Sequence, residues 1–222
     1  MELDAGARTT ALVYPAERDG LKAVPRFILA HGAGAGQHSA FIVDFAKALA
    51  ADGIEVITFD FLYTARKRRL PDRGPVLEAC YRSVIDRWAD APNLVVGGKS
   101  MGGRIATQVA AADPGLRIAG LVLLGYPLHP PGLPERRRDA HLPAIHRPML
   151  FVQGSRDAFG GPAELQPLLA SLDPPADLHV VEGGDHSYKL SRKDPAAQAA
   201  AMGDARRAVV EWIRSVAPGS RR

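Results

Sequence analysis

Two rhythms of apolar residues alternate along the chain. Short runs rich in β-branched and aromatic residues give way to longer stretches in which apolar residues recur every three or four positions. Such alternation predicts βαβ units: an α/β fold with a mostly parallel sheet and helices on both faces. The short runs predict strands at Ala11–Tyr14, Arg26–Ala30, Ile54–Phe59, Leu94–Val96, Ile118–Leu124, Pro148–Val152 and Leu178–Val181. The first is expected at an edge, antiparallel to its neighbour. Helices are predicted at Phe41–Ala51, Pro75–Trp88, Arg104–Ala112, Pro162–Leu172 and Pro195–Val216. Phe41, Phe45 and Leu49 form the stripe of the first, and Gly53 ends it; Ala201, Ala205, Val209, Trp212 and Ile213 form the stripe of the last.

The rhythm breaks once. Leu128–Arg147 is rich in Pro, Arg and His and predicts a short ordered excursion over the sheet, with no large lid. The 222 residues contain no internal repeat and no low-complexity linker, so a single domain is expected over 1–222, with 217–222 as a frayed tail. A hydrophobic fraction of 46% suits a globular domain.

No apolar run reaches the roughly 20 residues that cross a bilayer. Met1–Thr10 carries acids and lacks the apolar segment of a signal peptide. A cytoplasmic protein without membrane association is therefore expected. Cys80 is the only cysteine, which excludes an intramolecular disulfide and a cysteine-based zinc site. Its spacing from Leu77, Tyr81 and Ile85 places it on a buried helix face. A net charge of +4 is too mild to imply nucleic acid.

In open parallel sheets, ligands bind beyond the carboxyl ends of the strands. Gly98-Lys99-Ser100-Met101-Gly102 lies at such an end, between a buried strand and a helix. It matches G-x-S-x-G, in which small neighbours allow a serine to sit on a tight, strained turn. A serine hydroxyl needs a base. His186 follows the last strand in Gly183-Gly184-Asp185-His186-Ser187, whereas His179 lies within that strand and His129, His141 and His146 belong to the excursion. Asp157, in Gly154-Ser155-Arg156-Asp157, follows the preceding strand and suits the acid that orients the base. Asp185 reads as a turn residue bonding nearby N–H groups. The oxyanion donors are expected to be the Met101 N–H and an N–H of the His31-Gly32-Ala33-Gly34 loop, Ala33 before Gly34. The glycines of that loop lack the spacing of a phosphate-binding motif.

These residues resemble the α/β-hydrolase superfamily over nearly the whole chain. Within it, the chain more closely resembles a small branch of bacterial proteins related to dienelactone hydrolases and to the hydrolase-like domain of an NSL histone acetyltransferase complex subunit. The likeness is carried by His31-Gly32-Ala33-Gly34, Phe59-Asp60-Phe61 with Tyr63, Gly97-Gly98-Lys99-Ser100-Met101-Gly102-Gly103-Arg104, Gly125-Tyr126-Pro127-Leu128-His129-Pro130 and Gly154-Ser155-Arg156-Asp157-Ala158-Phe159-Gly160. The resemblance implies a Ser100–Asp157–His186 triad, no metal and no organic cofactor. Serine stands where dienelactone hydrolases carry a cysteine nucleophile.

The expected activity is hydrolysis of a carboxylic ester or thioester of a small molecule. The alternative is a non-catalytic interaction module on the same fold. Lys99, Tyr63, Tyr126 and His129 are candidate substrate contacts, and Lys99 could instead pair with Asp60. Arg66-Lys67-Arg68-Arg69 and Arg136-Arg137-Arg138 follow carboxyl ends of strands. Each reads either as a solvated loop face or as an attractor for an anionic substrate.

Overall fold

Strands buried on both faces need helices on both faces, and the core is built accordingly. In the computed structural model, which describes residues 8–17, 24–91, 93–191 and 194–216, a seven-stranded sheet is ordered β1-β3-β2-β4-β5-β6-β7. The strands are β1 (Ala11–Tyr14), β2 (Arg26–Ala30), β3 (Glu55–Phe59), β4 (Leu94–Lys99), β5 (Gly120–Leu124), β6 (Met149–Gly154) and β7 (Asp177–Val181). Only β1 runs antiparallel, pairing with β3 at the edge; the other pairs are parallel.

Alternation along each strand divides the core. Phe27 and Leu29, Val122 and Leu124, and Leu150 and Val152 pack against α1 (Ala40–Ala51) and α6 (Pro195–Val216). Ile28 and Ala30, Leu121 and Leu123, and Met149 and Phe151 face the other layer: α3 (Gly74–Arg87), α4 (Met101–Ala112) and α5 (Pro162–Ala170). The α6 stripe is buried at Ala205, Val209, Trp212 and Ile213, with Ala201 partly buried beside it. Cys80 is buried in the α3 layer, where desolvation pushes its thiol up to about 12.

Differences from the predicted elements concentrate near Ser100. β4 continues through Gly97-Gly98 to Lys99, and α4 begins at Met101 rather than Arg104. Strand and helix are thus separated by one residue. A short helix, α2 (Leu62–Ala65), follows β3, and the excursion holds a 3-10 turn at Leu142–Ala144. No described helix is long and apolar enough to cross a membrane. The predicted tail at 217–222, and Met1–Ala7 of the N-terminal segment, lie outside the described residues.

Candidate active site

A single-residue junction between β4 and α4 forces Ser100 into a sparsely populated backbone conformation, with φ 51° and ψ −114°. Its N–H donates to the Leu124 carbonyl of β5 (2.9 Å) and its carbonyl accepts from the Arg104 N–H of α4 (3.1 Å), so both sides of the turn are tied down. The turn also needs close backbone approach. A Cβ on Gly98 would lie 2.4 Å from the Ala30 oxygen, and one on Gly102 would lie 2.7 Å from the Ala30 and His31 oxygens. Neither site can hold a side chain without moving β2.

β6 and β7 supply the partners. His186 Nε2 lies 2.9 Å from Ser100 Oγ, and His186 Nδ1 lies 2.8 Å from Asp157 Oδ2. The Asp157 side chain is fully buried, while that of His186 keeps 21% of its surface in contact with solvent. Asp157 Oδ1 accepts the Phe159 N–H (2.8 Å), and Oδ2 accepts from Gln153 Nε2 (2.8 Å). The carboxylate therefore cannot turn away, and it accepts from the histidine Nδ1–H. That tautomer leaves the Nε2 lone pair facing the serine hydroxyl. Phe159 packs against the imidazole at 4.2 Å between centroids. Asp185, the neighbour of the histidine, accepts from the Ser187 N–H (2.7 Å) and the Lys189 N–H (2.9 Å), as its turn role predicts.

Gln153 was not singled out by the sequence, and Phe159 stood there only as part of the Gly154–Gly160 motif. Gln153 is wholly buried at the end of β6. Its Oε1 accepts the Tyr126 N–H (2.8 Å), and its amide faces the oxygens of Gly160 (2.7 Å) and Tyr126 as well as Asp157. A fully buried glutamine inside an apolar strand is the available signal, since such a group must be satisfied by hydrogen bonds.

Met101 stands at the first position of α4, where no helical carbonyl is available to its N–H. Across a small cavity lies the loop after β2. Gly32, Ala33, Ala35, Phe41, Lys99, Ser100 and His186 line this cavity, whose volume is about 200 Å³. Ala33 faces it; Gly34, at φ +73° in the turn closed by the Ala35 N–H and the Gly32 oxygen, does not. His31 holds this loop. Its Nε2 accepts the Phe61 N–H (3.1 Å), so Nδ1 carries the proton and donates to the Gly32 oxygen (2.8 Å). Burial lowers the pKa of His31, which keeps the ring neutral in that role.

Three candidate substrate contacts lie away from the Ser100 cavity. Tyr126 is fully buried, with its hydroxyl donating to the Arg138 oxygen (2.7 Å). His129 is buried between the Pro130 oxygen (2.9 Å) and Glu164 (3.1 Å). Tyr63 is buried with its ring 6.0 Å from that of His31. None lines the Ser100 cavity; each side chain is packed into the core instead. Lys99 does line the cavity, but its Nζ donates to the His186 carbonyl (2.6 Å) rather than to Asp60, whose oxygens are engaged by Gln37. The arginine clusters are exposed apart from Arg138, which is partly buried; Arg68 pairs with Asp72 and Arg137 with Asp139, and none lines the cavity.

Residues 23–214 match a family described as the alpha/beta hydrolase domain. Solved structures of similar fold include Est1E from Butyrivibrio proteoclasticus with ferulic acid bound. It shares 17% identity at a TM-score of 0.74, covering 96% of this chain and 99% of that one. A serine hydrolase without a lid from Xanthomonas campestris shares 20% identity at a TM-score of 0.72, over 98% and 94% of the two chains. A dienelactone hydrolase from Anabaena variabilis shares 20% identity at a TM-score of 0.71, over 94% and 92%.

Proposed function

Since the chain belongs to the α/β-hydrolase family, we propose that it is a serine hydrolase that cleaves a carboxylic ester or thioester of a small molecule in the cytoplasm. The observation that carries this reading is the unbroken line from Ser100 Oγ to His186 Nε2 (2.9 Å) and from His186 Nδ1 to Asp157 Oδ2 (2.8 Å). A module that only binds has no need of a strained serine aligned with a base and an acid.

Ser100 Oγ attacks the substrate carbonyl while His186 Nε2 takes its proton. Asp157 stabilises the imidazolium and holds its orientation. The N–H groups of Met101 and Ala33 receive the charge that develops on the carbonyl oxygen. Collapse breaks the bond to the alcohol or thiol, which leaves with the proton from His186. Water then attacks the acyl-enzyme with His186 again as base, and the acid and free serine are released. The lone thiol Cys80 is compatible with a reducing compartment.

The test is labelling by a fluorophosphonate probe, with the adduct located by peptide mass, alongside hydrolysis of 4-nitrophenyl butyrate. Modification is expected at Ser100 and lost in Ser100→Ala and His186→Ala. A folded wild-type protein that neither takes the label nor turns over the ester would refute the reading.

A further inference from the structure

Lys99 is a cation in a place that offers it little. It is 7% exposed, yet it forms no ion pair with any described residue. An ammonium has three N–H donors, and the bonds of Nζ to described residues amount to one, to the His186 carbonyl at 2.6 Å. The Phe41 ring lies 5.6 Å away on another side. Asp157 and Asp185 are near enough to favour the charge, but both are already committed. Asp157 serves His186, Gln153 and Phe159, and Asp185 serves the Ser187 and Lys189 N–H groups. A buried charge left without a counter-ion is costly unless something completes it. Lys99 also lines the cavity that holds Ser100 and His186.

We propose that Lys99 is the anion-recognising group of this site, and that the substrate is an ester carrying a carboxylate within a few bonds of its scissile carbonyl. The substrate carboxylate takes the remaining donors of Nζ. The inference rests on Ser100 as nucleophile and adds the class of substrate. A groove of about 680 Å³ adjoins the cavity, sharing Phe41 and Ser187 with it. Leu190 and Met202 line this groove, with Asp44 and Asp194 among its polar residues. Lys189 lines it too and offsets one of these acids, so the groove carries little net charge and its apolar residues suit the uncharged remainder of the substrate.

Two pairs of esters test this. Benzyl hemisuccinate carries the charge on the acyl side, and benzyl 4-methylpentanoate is its neutral isostere. Carboxymethyl 3-phenylpropanoate carries it on the alcohol side, with isobutyl 3-phenylpropanoate as isostere. At least one charged ester is expected to exceed its isostere in kcat/KM by roughly 10- to 100-fold, the range of a charge-assisted hydrogen bond. In Lys99→Met that ratio should fall towards one. A ratio near one in both wild-type pairs, or a ratio that survives in Lys99→Met, overturns the proposal. A lysine that merely braces His186 would slow both members of a pair alike and leave the ratio unchanged.

Should Lys99→Met fail to fold, calorimetric binding of succinate to the wild-type protein decides. Binding through Lys99 should weaken as pH rises past about 8, where burial brings the loss of its proton. Binding that persists unchanged to pH 10.5, the ordinary lysine value, would assign the anion to arginine and sink the proposal. Fluorophosphonate labelling separates the two readings. A labelled Ser100 with no charge preference removes the substrate class and leaves the hydrolase. An unlabelled Ser100 with Lys99-dependent succinate binding does the reverse.

Discussion

An ammonium that folding takes out of water should make stability depend on pH, and Lys99→Met isolates the effect. Burial lowers the Lys99 pKa from 10.5 to about 8, with Asp157 and Asp185 opposing the shift. The folded-state pKa therefore lies below the unfolded one. Below about pH 8 both states hold the proton, and the folded state carries the full penalty of a buried charge. Between about 8 and 10.5 the unfolded chain binds more protons than the folded one, so stability rises with pH across that window. Each pKa unit corresponds to about 1.4 kcal/mol, which makes the rise about 3 kcal/mol. Methionine has similar length and never ionises. Its loss of the bond to the His186 carbonyl shifts the whole curve by about 1–3 kcal/mol but leaves the slope flat. Guanidinium unfolding of both proteins, from neutral pH to pH 10.5 in the same buffers, gives the difference directly, because all other titrations cancel. Wild type is expected to gain about 3 kcal/mol on the variant over this range. Parallel stability curves would refute the reasoning, since they would mean that the ammonium is as well solvated in the fold as outside it.

Other outcomes follow from the same geometry. Ser100→Ala should lose at least roughly 10⁴-fold in kcat, whereas Ser100→Gly, equally inactive, should unfold about 1 kcal/mol later in denaturant because glycine tolerates φ 51°. Equal stability of the two variants would mean the turn is unstrained. Asp157→Asn should be severe in steady-state kinetics and Asp185→Asn mild; the reverse order would exchange acid and turn residue. With its thiol pushed up to about 12, Cys80 should resist iodoacetamide in the native protein at neutral pH, and Cys80→Ser should keep its activity. Rapid native alkylation would show the thiol to be accessible.

Much of this architecture could be read from the chain because it follows two periods. The strand at Arg26–Ala30 and the helix at Pro195–Val216 match the predicted bounds, since their apolar runs begin and end sharply. The β4–α4 junction was harder. Glycine favours neither strand nor helix, so Gly97-Gly98 and Gly102-Gly103 read as loop, although packing against Val122 and Ala30 draws them into both elements. Ser100, Asp157 and His186 were legible because a parallel sheet gathers the carboxyl ends of its strands. Side-chain direction was not. Tyr126 and His129 also follow a strand end, and nothing in a one-dimensional pattern distinguishes a ring turned towards the cavity from one turned towards Arg138 or Glu164. Gln153 was hidden for the complementary reason: its partners come from residues 126, 157 and 160, which only tertiary structure brings together.

His31 bears on the timing of catalysis. By bridging the Phe61 N–H to the Gly32 oxygen, it ties the loop after β2 to the segment after β3 in the resting protein. The peptide that would receive the substrate's oxygen is then oriented when the chain folds, and no closing motion is required in each cycle. A site built this way needs no movement of that loop before it can receive substrate. Its turnover should be indifferent to added viscogen wherever bond breaking, rather than diffusion of substrate or product, sets the pace.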